Sequence, residues 1–176
     1  MDVAQLAPDV DSHSSRSGVR LTVELTAELR RQAPPERYVR PFAGCVTADD
    51  PAAPIGRISG YRLNVARAQL DGRRLDEAAL TQGPAAVAFA AAVDELPASS
   101  RFADVLAVAD VFLEPAWRGR ELGLDVVRQT VELLGSCCPT ILLTPTGDRG
   151  GALSGYWHRM SFEAGPRGTL RLQRST

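Results

Sequence analysis

The sequence contains few of the residues that build most metal sites and disulfide frameworks. Its 176 residues include three cysteines and two histidines. Cys137 and Cys138 are adjacent and therefore rarely bond to each other, and Cys45 is then left over. This pattern predicts reduced thiols, as is typical of cytosolic proteins, and the small number of ligands predicts no metal site.

The sequence also lacks an excess of charge of either sign and lacks a long apolar run. Its 20 basic and 21 acidic residues give a net charge of −1, so there is no electrostatic reason to expect nucleic acid or an anionic membrane. The alanine-rich run over residues 85–93 is too short to span a bilayer, and no cationic segment followed by an apolar run marks a signal peptide. These absences predict a cytoplasmic protein with neither nucleic acid nor membrane as partner.

The composition that remains, with 44% apolar residues, is that of a globular protein. Residues 1–18 are polar and predict a disordered tail, which is followed by a single domain over residues 19–176. Apolar patterning in that domain predicts strands from residue 19 and over residues 38–46, 55–70, 105 to about 115, 140–144 and 169–173. Gly60 predicts a bulge in the third strand, and Asp71-Gly72 predicts a turn after it.

Helices are predicted between several of these strands. A short one is expected within residues 24–36, and a longer one over residues 75–96 that Gly83-Pro84 should break or kink. Another follows the strand that starts at residue 105 and ends near Gly135, and a last one covers residues 154–160. Strands on both sides of a helix-linked pair predict an α/β (α+β) fold with a mixed, mostly antiparallel central sheet flanked by helices.

The stretch over residues 105–134 is the most informative part of the chain. It consists of a nearly continuous apolar strand, a turn with Gly119 and Gly123, and an amphipathic helix. Amides at a helix start are unpaired within the helix and carry partial positive charge, so this turn, with Arg118 and Arg120, could bind phosphate or another anion. It lacks the lysine and Ser/Thr of a nucleoside-triphosphate loop and the glycine spacing of a dinucleotide fingerprint. A solvent-facing basic turn is the alternative.

Two motifs in this part of the chain resemble the GNAT N-acetyltransferase superfamily. The family's R-x-x-G-x-G/A pattern falls on residues 118–123, within VFLEPAWRGRELGL, and YWHRMSF at residues 156–162 is similar to its Y-x-K-L-G-F segment. The strand TILLT lies between them, as in the family order. The first half of the chain agrees with the family only in its coarse order of strands and helices.

The resemblance implies a GNAT-like (acyl-CoA N-acyltransferase) fold and acetyl-CoA or another acyl-CoA as cofactor. In the family, two central strands splay apart and form a slot for the pantetheine arm, and the turn amides hold the pyrophosphate. The implied cofactor-binding residues are Leu113, Arg118, Gly119, Arg120, Glu121, Leu122, Gly123 and Leu124. The implied activity is transfer of the acyl group to an amine of a small molecule or peptide. The resemblance also implies a homodimer.

Three residues depart from the family pattern. Glu121 replaces a glycine of the turn, and its carboxylate would repel a pyrophosphate unless it points to solvent or pairs with an arginine. Trp157 stands where the family usually has the tyrosine that protonates the departing thiolate, and an indole is no useful acid. Tyr156 is adjacent, although about 100° further round the helix. Ser161 replaces the glycine of the second motif.

The candidate catalytic residues are therefore Asp110, as the base that deprotonates the incoming ammonium, and Tyr156, as the acid. A carboxylate inside an apolar strand is unfavourable unless it is paired or takes part in chemistry. The alternative is that a neighbouring backbone group or arginine pairs with the Asp110 carboxylate. Glu114, two positions beyond Phe112, lies on the same face of the strand as Asp110. A non-catalytic protein that keeps the fold and CoA is the rival hypothesis for the whole chain. An unrelated α/β fold with a phosphate-binding turn is a third.

Overall fold

The central strands are apolar on both faces and the outer strands on one, and together they form a single sheet. The computed structural model describes residues 18–25, 37–48, 53–98, 100, 102–145 and 155–174. Its seven strands are β1 (Arg20–Leu25), β2 (Val39–Thr47), β3 (Pro54–Leu63), β4 (Val105–Leu113), β5 (Thr140–Leu143), β6 (Glu163–Ala164) and β7 (Leu170–Gln173). The predicted tail, most of the short helix predicted within residues 24–36 and Ser154 lie outside the described residues.

The sheet is mixed, with the strand order β1-β2-β3-β4-β5-β7-β6. β4 and β5 run parallel, as a pair of strands linked by a helix requires, and the other neighbouring pairs run antiparallel. β5 is buried along its whole length, and so are the first four residues of β4. The predicted mixed, mostly antiparallel sheet is therefore confirmed.

Helices cover both faces of the sheet. They are α1 (Val65–Leu70), α2 (Leu75–Ala79), α3 (Pro84–Asp94) and α4 (Leu122–Leu134), with short 3₁₀ segments at Leu80–Gln82 and Pro115–Trp117 and a helical turn over residues 155–158. The predicted break at Gly83-Pro84 is confirmed, because Gly83 has φ 100° and Pro84 opens α3. No helix in the part of the chain that is described is long and apolar enough to cross a membrane.

The strand predicted over residues 55–70 is wrong in its second half. β3 ends at Leu63 and α1 follows, with Val65 and Ala68 buried. These two residues are three apart, which places them on one face of a helix but on opposite faces of a strand. Asp71-Gly72 forms the predicted turn, at the end of this helix.

The sheet separates two apolar cores. α1, α2 and α3 pack on one face, where Phe89, Val93 and Leu63 are among the buried residues. α4 and the helical turn at residues 155–158 pack on the other face, where Val127, Trp157 and Phe162 are buried. The face of α4 predicted to be apolar is the buried one, since Leu124, Val127, Val131 and Leu134 all lie in this second core.

β4 and β5 separate after a short region of pairing. The ladder joins Val105–Val108 to Thr140–Leu143, and the Thr144 amide donates a last bond of 3.1 Å to the Val108 carbonyl. Beyond Val108 this edge of β4 has no strand partner among the described residues. A bulge lies at the same place, because Ser59 pairs with Asp110 and Gly60 with Val108, which leaves Ala109 as the extra residue. The bulge is thus next to Gly60, as predicted, with the extra residue on β4.

These features are the ones that the GNAT resemblance implied. The sheet is mixed and mostly antiparallel, helices flank it, and its two central strands part beside a turn that leads into α4. The expected GNAT-like fold is confirmed.

Candidate functional site

The turn between β4 and α4 exposes a set of backbone amides. Gly119 has φ 77° and Glu121 has φ 61°, and α4 begins directly afterwards at Leu122. The amides of Leu124 and Asp125 both donate to the Glu121 carbonyl, at 2.9 and 3.2 Å. Within the described chain, the amides of residues 119–123 donate to no backbone carbonyl. The predicted arrangement of free donors at a helix start is therefore present, where the helix dipole favours an anion.

Two arginines of the turn are held by aromatic rings. The Arg118 guanidinium lies 5.5 Å from the centre of the Phe112 ring, and its Nε donates to the Leu113 carbonyl at 2.8 Å. Arg120 lies 5.4 Å from the centre of the Trp117 ring. Both side chains are exposed, so the remaining N–H groups of the guanidinium ions face solvent beside the turn. Leu113 is one of the residues implied to bind the cofactor, and its carbonyl here accepts a bond from Arg118.

Glu121 pairs with an arginine from the second motif. Its Oε1 lies 2.6 Å from Nη1 of Arg159, and about half of each side chain or more is exposed, 62% for Glu121 and 51% for Arg159. The sequence left open whether this carboxylate points to solvent or pairs with an arginine. The structure shows the pair, so the charge of Glu121 at the turn is partly neutralised.

Tyr156 lies against the first turn of α4. Its hydroxyl oxygen accepts a bond of 3.0 Å from the Leu124 amide, and the Arg159 guanidinium stacks 4.9 Å from the centre of its ring. A Cβ on Gly123 would lie 2.8 Å from this hydroxyl, so glycine at that position permits the contact. Burial raises the pKa of Tyr156 above its usual value, although the Leu124 bond and Arg159 act in the opposite direction. The phenol is therefore neutral at pH 7. Its proton has no acceptor within the described residues.

Trp157, by contrast, is a core residue. It is 6% exposed and makes edge contacts with the rings of Tyr156 and Phe162, whose centres are 4.8 and 6.4 Å away. Ser161, which replaces the second family glycine, has φ 64°. This left-handed conformation is one that glycine adopts without strain.

Asp110 also has an arginine partner. Its Oδ2 lies 3.3 Å from Nε of Arg57 on β3, and the Arg57 guanidinium stacks 4.6 Å from the centre of the Phe112 ring. The alternative considered for Asp110, a carboxylate satisfied by a neighbouring arginine, is therefore observed, which leaves a role as base neither established nor removed. The exposed Glu114 contributes its amide to a 2.9 Å bond with the Ile55 carbonyl.

Asp110 and Tyr156 belong to opposite faces of the sheet. Arg57, which contacts Asp110, is next to Ile58 on β3, and Ile58 points into the core on the α4 side of the sheet (the α4-side core). Arg57 therefore lies on the opposite face, together with Tyr61, which packs against the core formed by α1, α2 and α3. Tyr156 packs against the α4-side core. The candidate base and the candidate acid thus lie on opposite faces of the sheet, near the place where β4 and β5 separate.

Sequence reasoning missed two residues of this region, Arg57 and Arg159. Arg159 is three residues after Tyr156 in a helical segment, a spacing that places side chains on one face and could have indicated the stacking. Arg57 reaches Asp110 through the register of β3 with β4, which no local pattern encodes. No cluster of three or more metal-binding side chains is found among the residues described.

Comparisons with known proteins give similarity at the level of structure alone. Neither the family models nor the curated protein sequences match the chain. Among solved structures, Arabidopsis thaliana NAA60 in complex with a bisubstrate analogue is 10% identical, with a TM-score of 0.44 over 76% of this chain and 73% of that one. The NatC complex bound to Gag peptide and CoA is 13% identical, with a TM-score of 0.44 over 76% and 71%.

A third similar structure is the AtaT toxin bound to the C-terminus of the antitoxin AtaR and acetyl-CoA. It is 8% identical, with a TM-score of 0.47 over 88% of this chain and 93% of that one. At these identities and TM-scores, none of the three supports a conclusion about the chemistry of this chain. The fold assignment depends on the strand pairing and the separation of β4 from β5.

Proposed function

We propose that this protein is an acyl-CoA-dependent N-acyltransferase, with acetyl-CoA as the simplest donor and an amine of a small molecule or peptide as acceptor. The observation that carries the proposal is the row of amides at residues 119–123, which donate to no described backbone carbonyl and lie beside the parting of β4 and β5. A diphosphate fits such a helix start, and the edge of β4 beyond Val108, which has no strand partner among the described residues, offers backbone groups to an extended amide-containing arm.

In this proposal Asp110 takes the proton of the acceptor ammonium, and Tyr156 donates its proton to the departing thiolate. The amine nitrogen forms a bond to the thioester carbon and then loses its second proton to solvent, which leaves a neutral amide. The carbon–sulfur bond breaks, and its electron pair leaves with sulfur, which takes the proton from Tyr156. Asp110 must turn its carboxylate from Arg57 towards the acceptor, because Nε of Arg57 lies 3.3 Å from its Oδ2. The phenol of Tyr156 supports its assigned role, since it is neutral at pH 7 and its proton has no acceptor among the described residues.

Thermal unfolding with acetyl-CoA tests the donor. A ligand present at about 100 times its dissociation constant stabilises a protein by about 2.7 kcal/mol, so we expect a clear rise in Tm at millimolar acetyl-CoA. Adenosine at the same concentration, which lacks the diphosphate, is the control and should give no rise. An unchanged Tm with acetyl-CoA would rule the proposal out.

Release of free CoA thiol on a panel of amines then tests turnover. We expect Asp110→Asn and Tyr156→Phe each to lower kcat by about 10²-fold or more while binding of acetyl-CoA is retained, as is usual for general acids and bases. Asp125→Asn removes a carboxylate on the exposed side of α4 and should leave kcat unchanged. If both Asp110→Asn and Tyr156→Phe retain the wild-type kcat, the assigned roles are wrong even though the donor stands.

The rival function is a non-catalytic protein that keeps CoA. The burial of Trp157 at the position of the family's tyrosine favours it, because an indole in the core donates no useful proton. Binding of acetyl-CoA together with no thiol release on any amine, in wild type and variants alike, would support this second function over the first.

A further inference from the structure

The pair formed by Glu121 and Arg159 lies directly on the turn assigned to the diphosphate. We propose that Arg159 is a further binding residue for the diphosphate of acyl-CoA, and that Glu121 is an internal competitor that holds Arg159 when no ligand is bound. This inference rests on the proposed function, and it adds to it a residue and a means of setting affinity. It explains how a carboxylate can occupy a position where the family has glycine.

Arg159 is attached to the turn in two independent ways. Its Nη1 lies 2.6 Å from Oε1 of Glu121, and its guanidinium stacks 4.9 Å from the centre of the Tyr156 ring. Tyr156 is itself fixed by the bond from the Leu124 amide to its hydroxyl oxygen. Release of Glu121 therefore leaves the guanidinium beside the first turn of α4, with its N–H groups free for another acceptor.

An exchange of partners at Arg159 is favourable on charge grounds. An exposed ion pair contributes little to stability, and both of these side chains are half or more exposed. A diphosphate carries more charge than one carboxylate and accepts paired N–H bonds from the planar guanidinium. Glu121 remains solvated after the exchange. Its carboxylate then weakens binding twice, because its pair with Arg159 must break and because it repels the incoming anion.

Calorimetric titration with acetyl-CoA at low ionic strength tests whether Arg159 binds the diphosphate directly or only neutralises the charge of Glu121. The titration compares wild type, Glu121→Gln, Arg159→Ala and the double variant, with Arg159→Gln as a second replacement in case the alanine variant fails to fold. We expect Glu121→Gln to tighten binding by about 3- to 10-fold. Adding Arg159→Ala to it should then weaken binding by about tenfold, the loss of one charge-assisted contact.

The double variant decides the question. If it binds acetyl-CoA as tightly as Glu121→Gln does, Arg159 only neutralises the carboxylate and the inference is wrong, while the proposed function stands. If no variant binds acetyl-CoA, the proposed function falls and the inference falls with it. A pantetheine thioester, which lacks the diphosphate, should bind all four proteins alike; the same tenfold loss with this probe would also contradict the inference.

The pair formed by Glu95 and Arg167 provides a matched control. It has the same 2.6 Å distance and similar exposure, 47% for Glu95 and 56% for Arg167, and it joins the end of α3 to the segment before β7. Glu95→Gln and Arg167→Ala should leave the affinity for acetyl-CoA within twofold of wild type, a difference that is small on the scale of one charged contact. An equal effect from this pair would show that the changes at Glu121 and Arg159 report net charge alone, and would overturn the inference.

Discussion

Two residues that replace family glycines adopt the backbone conformation that glycine favours. Glu121 has φ 61° and Ser161 has φ 64°. A side chain in the left-handed region is unfavourable by about 1–2 kcal/mol, because its Cβ approaches the neighbouring carbonyl oxygen. The surrounding turns therefore keep a geometry that the two residues do not favour on their own. At Glu121 the contact with Arg159 is an exposed ion pair that contributes little to stability, so the rest of the turn must hold this conformation.

Ser161→Gly should stabilise the protein. Glycine removes the strain at φ 64°, and although it also makes the unfolded chain more flexible, we expect a net gain of about 1 kcal/mol. The free energy of unfolding in urea measures this gain. Ser161→Ala keeps a Cβ and is the control, which should give no gain. A lower stability for Ser161→Gly than for wild type would show that the serine hydroxyl, and not the backbone, controls this turn.

Gly123 and Tyr156 should be energetically coupled. Alanine at position 123 would place its Cβ 2.8 Å from the Tyr156 hydroxyl, which must then move away from the Leu124 amide. We expect Gly123→Ala to be less favourable in wild type than in a Tyr156→Phe background by about 1 kcal/mol. Urea unfolding of the two single variants and the double variant measures this coupling. Equal effects in both backgrounds would contradict the contact.

At the scale of elements, β4 has two different halves. Its first half is buried and paired on both edges, with β3 and with β5. Its second half is partly exposed and, among the described strands, pairs with β3 alone. The bulge at Ala109 lies where the halves meet, and Gly60 faces it across the ladder. A bulge bends and twists its strand, so it directs the end of β4 away from β5 and towards the turn.

Gly60→Ala should strongly destabilise this part of the sheet. The added Cβ would lie 2.0 Å from the Ala107 carbonyl oxygen and 2.8 Å from the Phe42 ring, and neither the backbone nor a buried ring moves easily. We expect a loss of about 3 kcal/mol or more in the free energy of unfolding. Gly155→Ala is the control, because no atom of the described residues lies within 4 Å of its Cβ, and it should be neutral or slightly stabilising. A loss below about 1 kcal/mol at Gly60 would mean that β3 and β4 are further apart than described.

At the scale of the whole molecule, the described residues form one sheet with an apolar core on each face. The chain contains no lysine. The side chains that lose a proton at alkaline pH, before the arginines do, are therefore mainly tyrosines and cysteines. Cys138 lies in the α4-side core and is 1% exposed. Burial raises the pKa of this thiol from 9.0 to about 12. The thiol is consequently a packing group in the folded protein.

Stability should fall in alkali because of Cys138. Below about pH 9 the thiol is protonated in both the folded and the unfolded chain, and above it the unfolded chain loses the proton first. The resulting loss reaches about 1.4 kcal/mol at pH 10. Urea unfolding at pH 8 and pH 10 should show a smaller loss for Cys138→Ala than for wild type, whatever the absolute stability of the variant. Equal losses would assign the effect to the tyrosines.

The sequence by itself determined the features that depend on local periodicity and on special residues. These are the apolar face of α4, the break at Gly83-Pro84, the bulge beside Gly60 and the turn with free amides at residues 119–123. Each follows from neighbours in the chain, because a helix start, a proline or an alternating pattern acts over a few residues. The same local argument failed at residues 65–70, where the apolar stretch is too short for its period to separate a strand from a helix.

Only the tertiary structure decided which side chains meet at the site. Arg57 and Asp110 are 53 residues apart, Glu121 and Arg159 are 38 apart, and Leu124 and Tyr156 are 32 apart. Such contacts depend on strand register and on how the segment after β5 packs against α4, and neither is encoded by residues close in sequence. The sequence therefore placed the turn between β4 and α4 and its backbone amides. The fold determined that Glu121, within this turn, is paired with Arg159.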